Sequence, residues 1–256
     1  MSVMPFKFIS LLISNQRTHK TNVQLGAYMA FVAGAVNAGG FLAIASYTSH
    51  MSGIIAGIGS DLALSNIISV LGGIFLLLAF LGGAATTAIV VSWGRRKKIH
   101  SQFALPLLIE AVLLLIFGLA GVNLNLYLPL TVPAIAMLLC FVMGLQNAIL
   151  TKASHAEIRT THMTGVITDI GIELGKLLYW NQCQQANQQD FVKADRQKLK
   201  DLLVLFGMFL VGGIVGAISF QKVGYVSVVP LSLSLLLIAG FQVYRDIKLL
   251  FKDWTS

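Results

Sequence analysis

Twice in this chain a histidine, a methionine, a hydroxyl residue and a glycine follow one another, as His50-Met51-Ser52-Gly53 and as His162-Met163-Thr164-Gly165. The chemistry open to them is binding. An imidazole with an ordinary pKa of ~6.5 can gate or carry a proton, although the same side chain also serves as a plain interfacial or capping residue. Ser52 and Thr164 are hydroxyls able to cap a helix start, where free amide donors and partial positive charge collect. Gly53 and Gly165 would let backbone come close to a solute. Upstream stand the amides Asn37, Gln146 and Asn147, which either bond one helix to another or line a polar path. Downstream, Asp169 and Glu173 are four residues apart on one helical face, and Asp61 stands at the position of Glu173 in the earlier copy. These carboxylates either take a coupling proton or cation or are wetted groups, with Lys176 a ready partner for Glu173.

These residues recur in register. Phe31-Val32-Ala33-Gly34-Ala35-Val36-Asn37-Ala38 matches Phe141-Val142-Met143-Gly144-Leu145-Gln146-Asn147-Ala148 in its Phe, Val, Gly, Asn and Ala. A duplication on this scale points to two related halves around a shared site. Phe80-Leu81-Gly82-Gly83 resembles Phe209-Leu210-Val211-Gly212-Gly213, and Pro106 corresponds to Pro230.

The elements that must position them lie in a chain of 256 residues, 56% hydrophobic and 11% charged, with a mean hydropathy of +0.81. Soluble domains carry roughly 25% charged residues. Six apolar blocks, at 26–46, 67–92, 103–121, 126–150, 201–221 and 225–243, have about the 20 residues a bilayer crossing needs. The expected fold is all-α: six transmembrane helices plus two short re-entrant or interfacial helices that start at the His-Met motifs. Three spans per half make the halves inverted, related by a pseudo-two-fold axis in the membrane plane. The expected organisation is a cytoplasmic segment at 1–24, one transmembrane domain at 25–245 with repeats at about 25–122 and 126–245, and a cytoplasmic tail at 246–256. In this arrangement His50 and His162 lie at opposite membrane boundaries.

The net charge of +8 is a topology signal. With both termini cytoplasmic, 17 of the 18 Lys and Arg residues fall on the inner side and Lys222 alone outside, as the positive-inside rule requires. The basic excess therefore speaks for a lipid bilayer and against nucleic acid. No secretory signal precedes Arg17. Cys140 and Cys183 are too differently placed to pair, and no metal spacing occurs. No cofactor is expected. Gly-x-Ser-x-Gly, His-Glu-x-x-His and phosphate-loop patterns are all missing, which argues against an enzyme.

Glu110 is the one charge inside a block; it needs a partner, by snorkelling toward Arg95 or Arg96, or must stay protonated. Small residues at i,i+4 spacing (Gly34/Ala38, Gly53/Gly57, Gly171/Gly175, Gly212/Gly216) allow close helix packing.

The runs Met143-Gly144-Leu145-Gln146-Asn147-Ala148 and Thr160-Thr161-His162-Met163-Thr164-Gly165 resemble the hallmark of the YoaK-like family of bacterial inner-membrane proteins, a domain of unknown function. The resemblance covers residues 24 to 245 and implies about six spans. The first half departs from it, with Asn37 where an Asp is usual and Ser52-Gly53-Ile54 in place of Thr-Gly-Asn. The expected function is a small-solute transporter working by alternating access, compatible with a homo-oligomer. Asn37, Ser52, Gly53, Gln146, Asn147, Thr164 and Gly165 would contact solute, and Asp61, Asp169, Glu173, His50 and His162 would handle a proton or cation. The alternative is a non-enzymatic membrane scaffold or sensor.

Overall fold

The computed structural model describes residues 18–97, 99, 101–121, 128–154, 161–179 and 192–254, without the side chains of 120, 128–130 and 245–254. Lys7, Arg17, Lys98, Arg159, Thr160, Cys183 and the side chains of Arg245, Lys248 and Lys252 lie outside it. Every regular element among the described residues is helical: α1 His19–Ile44, α2 Met51–Ala63, α3 Ile67–Arg96, α4 Ala104–Ala120, α5 Leu128–Ala153, α6 Met163–Leu178, α7 Arg196–Val223 and α8 Val229–Trp254.

Local chemistry accounts for the boundaries. Thr18 and Thr21 close a reciprocal capping box at the start of α1, Asn66 caps α3 through the Ser69 amide, and Asp195 caps α7 through the amides of Gln197 and Lys198. Pro106 and Pro230 stand in the first turns of α4 and α8, where their missing N–H costs nothing. At Gly224 the backbone takes φ +67, a left-handed conformation suited to glycine, and a 3₁₀ turn over Gly224–Val228 joins α7 to α8.

Four stretches are long and apolar enough to cross a membrane: His19–Ile44, Ile67–Arg96, Thr131–Ala153 and Arg196–Tyr244, the last containing both α7 and most of α8. The chain is built as a helical membrane protein. The sequence expectation of six separate crossings goes further than this: α4, with 17 residues, is at the short end of crossing length, and α7 and most of α8 fall in one apolar stretch. Exposure follows position in the bundle. The apolar windows of α1 and α5 are 50% and 61% buried, and that of α3 only 11%, so α1 and α5 form the centre and α3 lines the rim. The rim faces are apolar, with Ile68, Phe75, Leu78 and Ile89 on α3 and Leu237 on α8 all exposed, the pattern of side chains meant for lipid.

The helices pair across the middle of the sequence: α1 packs along α7, α3 along α5, and α4 along α8. Glycines set the first two contacts. A methyl group at Gly34 would strike the Phe209 carbonyl, and one at Gly212 would strike the Phe31 carbonyl. In the second pair Gly83 lies against the Phe141 carbonyl and Gly144 against that of Phe80. Backbone thus rests on backbone in both, the close approach that small residues permit. Gly216 continues the first contact against Ala35, whereas Thr87, at the corresponding place in the second, donates its hydroxyl to the Leu145 carbonyl at 3.0 Å. Of the other small-residue positions, Gly57, Gly171 and Gly175 face open space, so i,i+4 spacing alone overstated their packing role.

Glu110 does not snorkel. It is completely buried, and Arg95 instead directs Nε to Gln102 Oε1 at 3.5 Å. Cys140 is a free, buried thiol in α5.

Candidate functional site

Seven residues before its end, α1 carries Asn37, whose side-chain oxygen accepts from the Ser49 hydroxyl at 3.1 Å and the Ser49 amide at 3.4 Å. Six residues before the end of α5, the Asn147 oxygen accepts from the Thr161 hydroxyl at 2.7 Å. Each asparagine therefore ties down the residue just before a His-Met motif. At 1.5 Å per residue the tie point lies on the order of 10 Å inside the helix end. Ser49 and Thr161 are thus held against the bundle just before the short helices begin.

The result departs from the expectation that His50 and His162 lie at opposite membrane boundaries. Both line one cavity of about 540 Å³. Met51, Ser52 and Ser49 come to its wall from the first copy, and Asn147, Thr151, Thr161 and Thr164 from the second, with Phe80 of α3 closing it. The asparagine ties are the physical reason, since they pull both motifs inward from the helix ends.

The short helices begin two residues earlier than a Ser52 or Thr164 cap would have it. Their cap positions are held by His50 and His162, and neither imidazole makes a capping bond. Ser52 and Thr164 stand inside the first turn. The first-turn amides of α2 and α6 therefore have no side-chain acceptor, at the end of each helix that carries partial positive charge. Gly53 and Gly165 serve the histidines: a methyl group at either would meet the ring of His50 or His162. Each imidazole thus lies across the first turn of its own helix. The cavity wall contains two imidazoles, five hydroxyls and one amide, and no carboxylate among the described residues.

The remaining expected site residues are elsewhere. Gln146 is fully buried, and its Nε2 donates to the Met29 carbonyl at 3.1 Å; it joins α5 to α1 rather than lining the cavity. Asn37 acts through Ser49. Asp61 lies nine residues beyond Ser52 on α2, about 13 Å along the axis. Asp169 reaches Lys198 of α7 at 3.4 Å. Glu173 accepts from Lys176 Nζ at 2.8 Å and from the Asp195 backbone amide at 2.8 Å. None of the three acids touches the cavity. Sequence reasoning passed over Ser49, Thr151, Thr161 and Phe80. A signal for two of them was present, a hydroxyl directly before the histidine in both copies.

The Glu173 contacts fasten α6 to the start of α7. The Lys176 ammonium, then the Asp195 amide, hold its carboxyl below the usual carboxylate range. A folded-state value below the unfolded one gives stability that is complete above the unfolded pKa of about 4.3 and is lost as pH falls through the folded value. Glu173→Gln should therefore flatten the acid limb of the thermal midpoint measured against pH in detergent. An unchanged acid limb would show that this fastening contributes nothing.

A protein-family model described as "Protein of unknown function (DUF1275)" matches residues 25–241. No curated protein matches the chain, and no solved structure matches it.

Proposed function

Since the chain belongs to the DUF1275 family, described as one of unknown function, we propose from its own cavity that it is a small-solute transporter. The observation that supports this most is the convergence of two uncapped helix starts, His50 and His162 included, on one polar cavity. Half-helices that begin at depth and point amide donors at a substrate recur among secondary transporters. The wall's hydroxyls, imidazoles and amide both donate and accept, and no acid stands among them, so the fitting solute is small and polar, neutral or anionic.

The finer topology belongs to the same proposal. The two halves are read as inverted repeats making six crossings in a YoaK-like inner-membrane protein with cytoplasmic termini. The glycine contacts support it, because Gly34 on Phe209 and Gly144 on Phe80 exchange places under the sequence repeat. Alternating access would then open the cavity by parting α1 and α7 on one side or α3 and α5 on the other.

The test is uptake by proteoliposomes of labelled small polar solutes, chosen by comparing the metabolites of a deletion strain with its parent. Asn147→Ala and Thr164→Ala should each reduce uptake about fivefold to tenfold, from the loss of roughly one hydrogen bond of 1 kcal/mol or slightly more. Robust uptake in both variants would sink the site. The non-enzymatic scaffold or sensor reading expects no metabolite difference in the deletion strain at all.

A further inference from the structure

The second turn of α4, where it packs on α8, contains a group that the cavity does not use. Glu110 on α4 is 0% exposed, and neither of its carboxyl oxygens has a hydrogen-bond partner. Around it the other polar groups of this layer are satisfied. Ser232 on α8 donates to the Ala111 carbonyl at 2.7 Å. Ser234 donates to the Leu231 carbonyl at 2.7 Å and accepts from Tyr28 of α1 at 2.6 Å. The register that sets Pro106 against Pro230 puts Glu110 at the place of Ser234, and the repeat of α1 on α5 puts Leu138 at the place of Tyr28. At the place where the first half supplies a phenol, the second half therefore has a hydrocarbon residue.

The titratable and charged groups on the neighbouring helices are few. Tyr28 is committed to Ser234, and Cys140 is a buried neutral thiol on α5. Tyr225 packs edge-on against Phe117 and Phe220, Arg95 is engaged with Gln102, and Tyr244 on α8 is largely exposed. Among the described residues no cation pairs with the carboxyl. An unpaired charge buried this way costs far more than taking up a proton. A metal cation would need several oxygen or nitrogen ligands, and no group of three or more His, Cys, Asp or Glu comes together among the described residues. A proton needs only one.

We propose that Glu110 is a proton-binding site, loaded in this conformation and able to exchange with water only when α8 parts from α4. It goes beyond the solute reading and stands whether or not the cavity binds a solute. Glu110, Glu157 and Glu173 are the only glutamates in the chain, which makes isotope labelling decisive. Infrared spectra of the full-length protein in lipid, labelled with carboxyl-¹³C glutamate, should show a shifted neutral-carboxyl C=O band at pH 7. That band should vanish in Glu110→Gln and survive in Glu173→Gln. Three ionised glutamates at pH 7, or a neutral band that survives Glu110→Gln, would overturn the proposal. If Glu110→Gln does not fold, the labelled wild type still decides, with Glu157→Gln and Glu173→Gln assigning the other two bands. A folded Glu110→Gln should keep a thermal midpoint near that of the wild type, because the amide, like a neutral carboxyl, carries no charge.

Discussion

Gly34→Ala and Gly144→Ala each destabilise the folded protein, while Gly207→Ala, only five residues from Gly212 on α7, leaves it unharmed or slightly improved. The contrast follows from what a methyl group meets. At Gly34 and Gly144 it meets the carbonyl oxygens of Phe209 and Phe80, which belong to helix backbone and cannot rotate away. Relief requires α1 to move off α7, or α5 off α3, along the whole contact. Overpacking a well-filled interior costs about 1–3 kcal/mol and sometimes more, and here it strikes the two contacts that hold the bundle together. At Gly207 nothing lies within reach, and exchanging glycine for alanine in a helix is worth ~1 kcal/mol in its favour. Thermal midpoints of the purified variants, read from the monodisperse peak after heating in detergent, decide the matter. A Gly34→Ala midpoint equal to that of Gly207→Ala would mean that the close backbone contact is not what holds α1 to α7.

The second large effect concerns the meeting of the two motifs. With Cys140 and Cys183 replaced by serine, the double variant Ser52→Cys, Thr164→Cys should be bridged within one molecule by a short bis-maleimide. Both positions line the same cavity of about 540 Å³. The control pair Asp61→Cys, Thr164→Cys moves one partner nine residues up α2, about 13 Å along its axis, and should give no bridge. Mass spectrometry of the digested protein reads both outcomes as near-complete or negligible linkage. Placement of the motifs at opposite faces of the membrane would leave the 52/164 pair unlinked, and equal linkage in the two pairs would mean that the cavity does not bring them together.

The repeat, the short helices and the apolar blocks could be read without coordinates, because each rests on local pattern. What escaped the sequence was contact over distance. Asn37 and Ser49 are 12 residues apart, and Asn147 and Thr161 are 14 apart. No helical or strand period links residues so separated, so the inward pull on the loops, and with it the shared cavity, stayed hidden. The glycines were misjudged for a related reason. Spacing of i,i+4 marks a smooth helix face, but only the partner helix decides that Gly34 is sealed while Gly171 lies open. The acids were weighed by their residue type and position on a short helix. Glu173, however, finds Lys176 and the Asp195 amide before it could serve a solute.

The crossed pairing of helices also has a consequence for biosynthesis. α1 rests on α7, α3 on α5 and α4 on α8, so these three helices of the first half meet their main partners only as the second half is made, while the short α2 finds its partner, α3, at once. α7 starts about 150 residues after α1 ends; at roughly 5–20 residues per second, α1 waits on the order of ten seconds in the bilayer with its glycine face unsealed. During that interval the nascent chain depends on the insertion machinery, or on lipid, to cover a surface shaped for another helix. A ribosome that stalls before Arg196 leaves a fragment in which α3 has met α5 but the glycine face of α1 still lacks the helix that seals it.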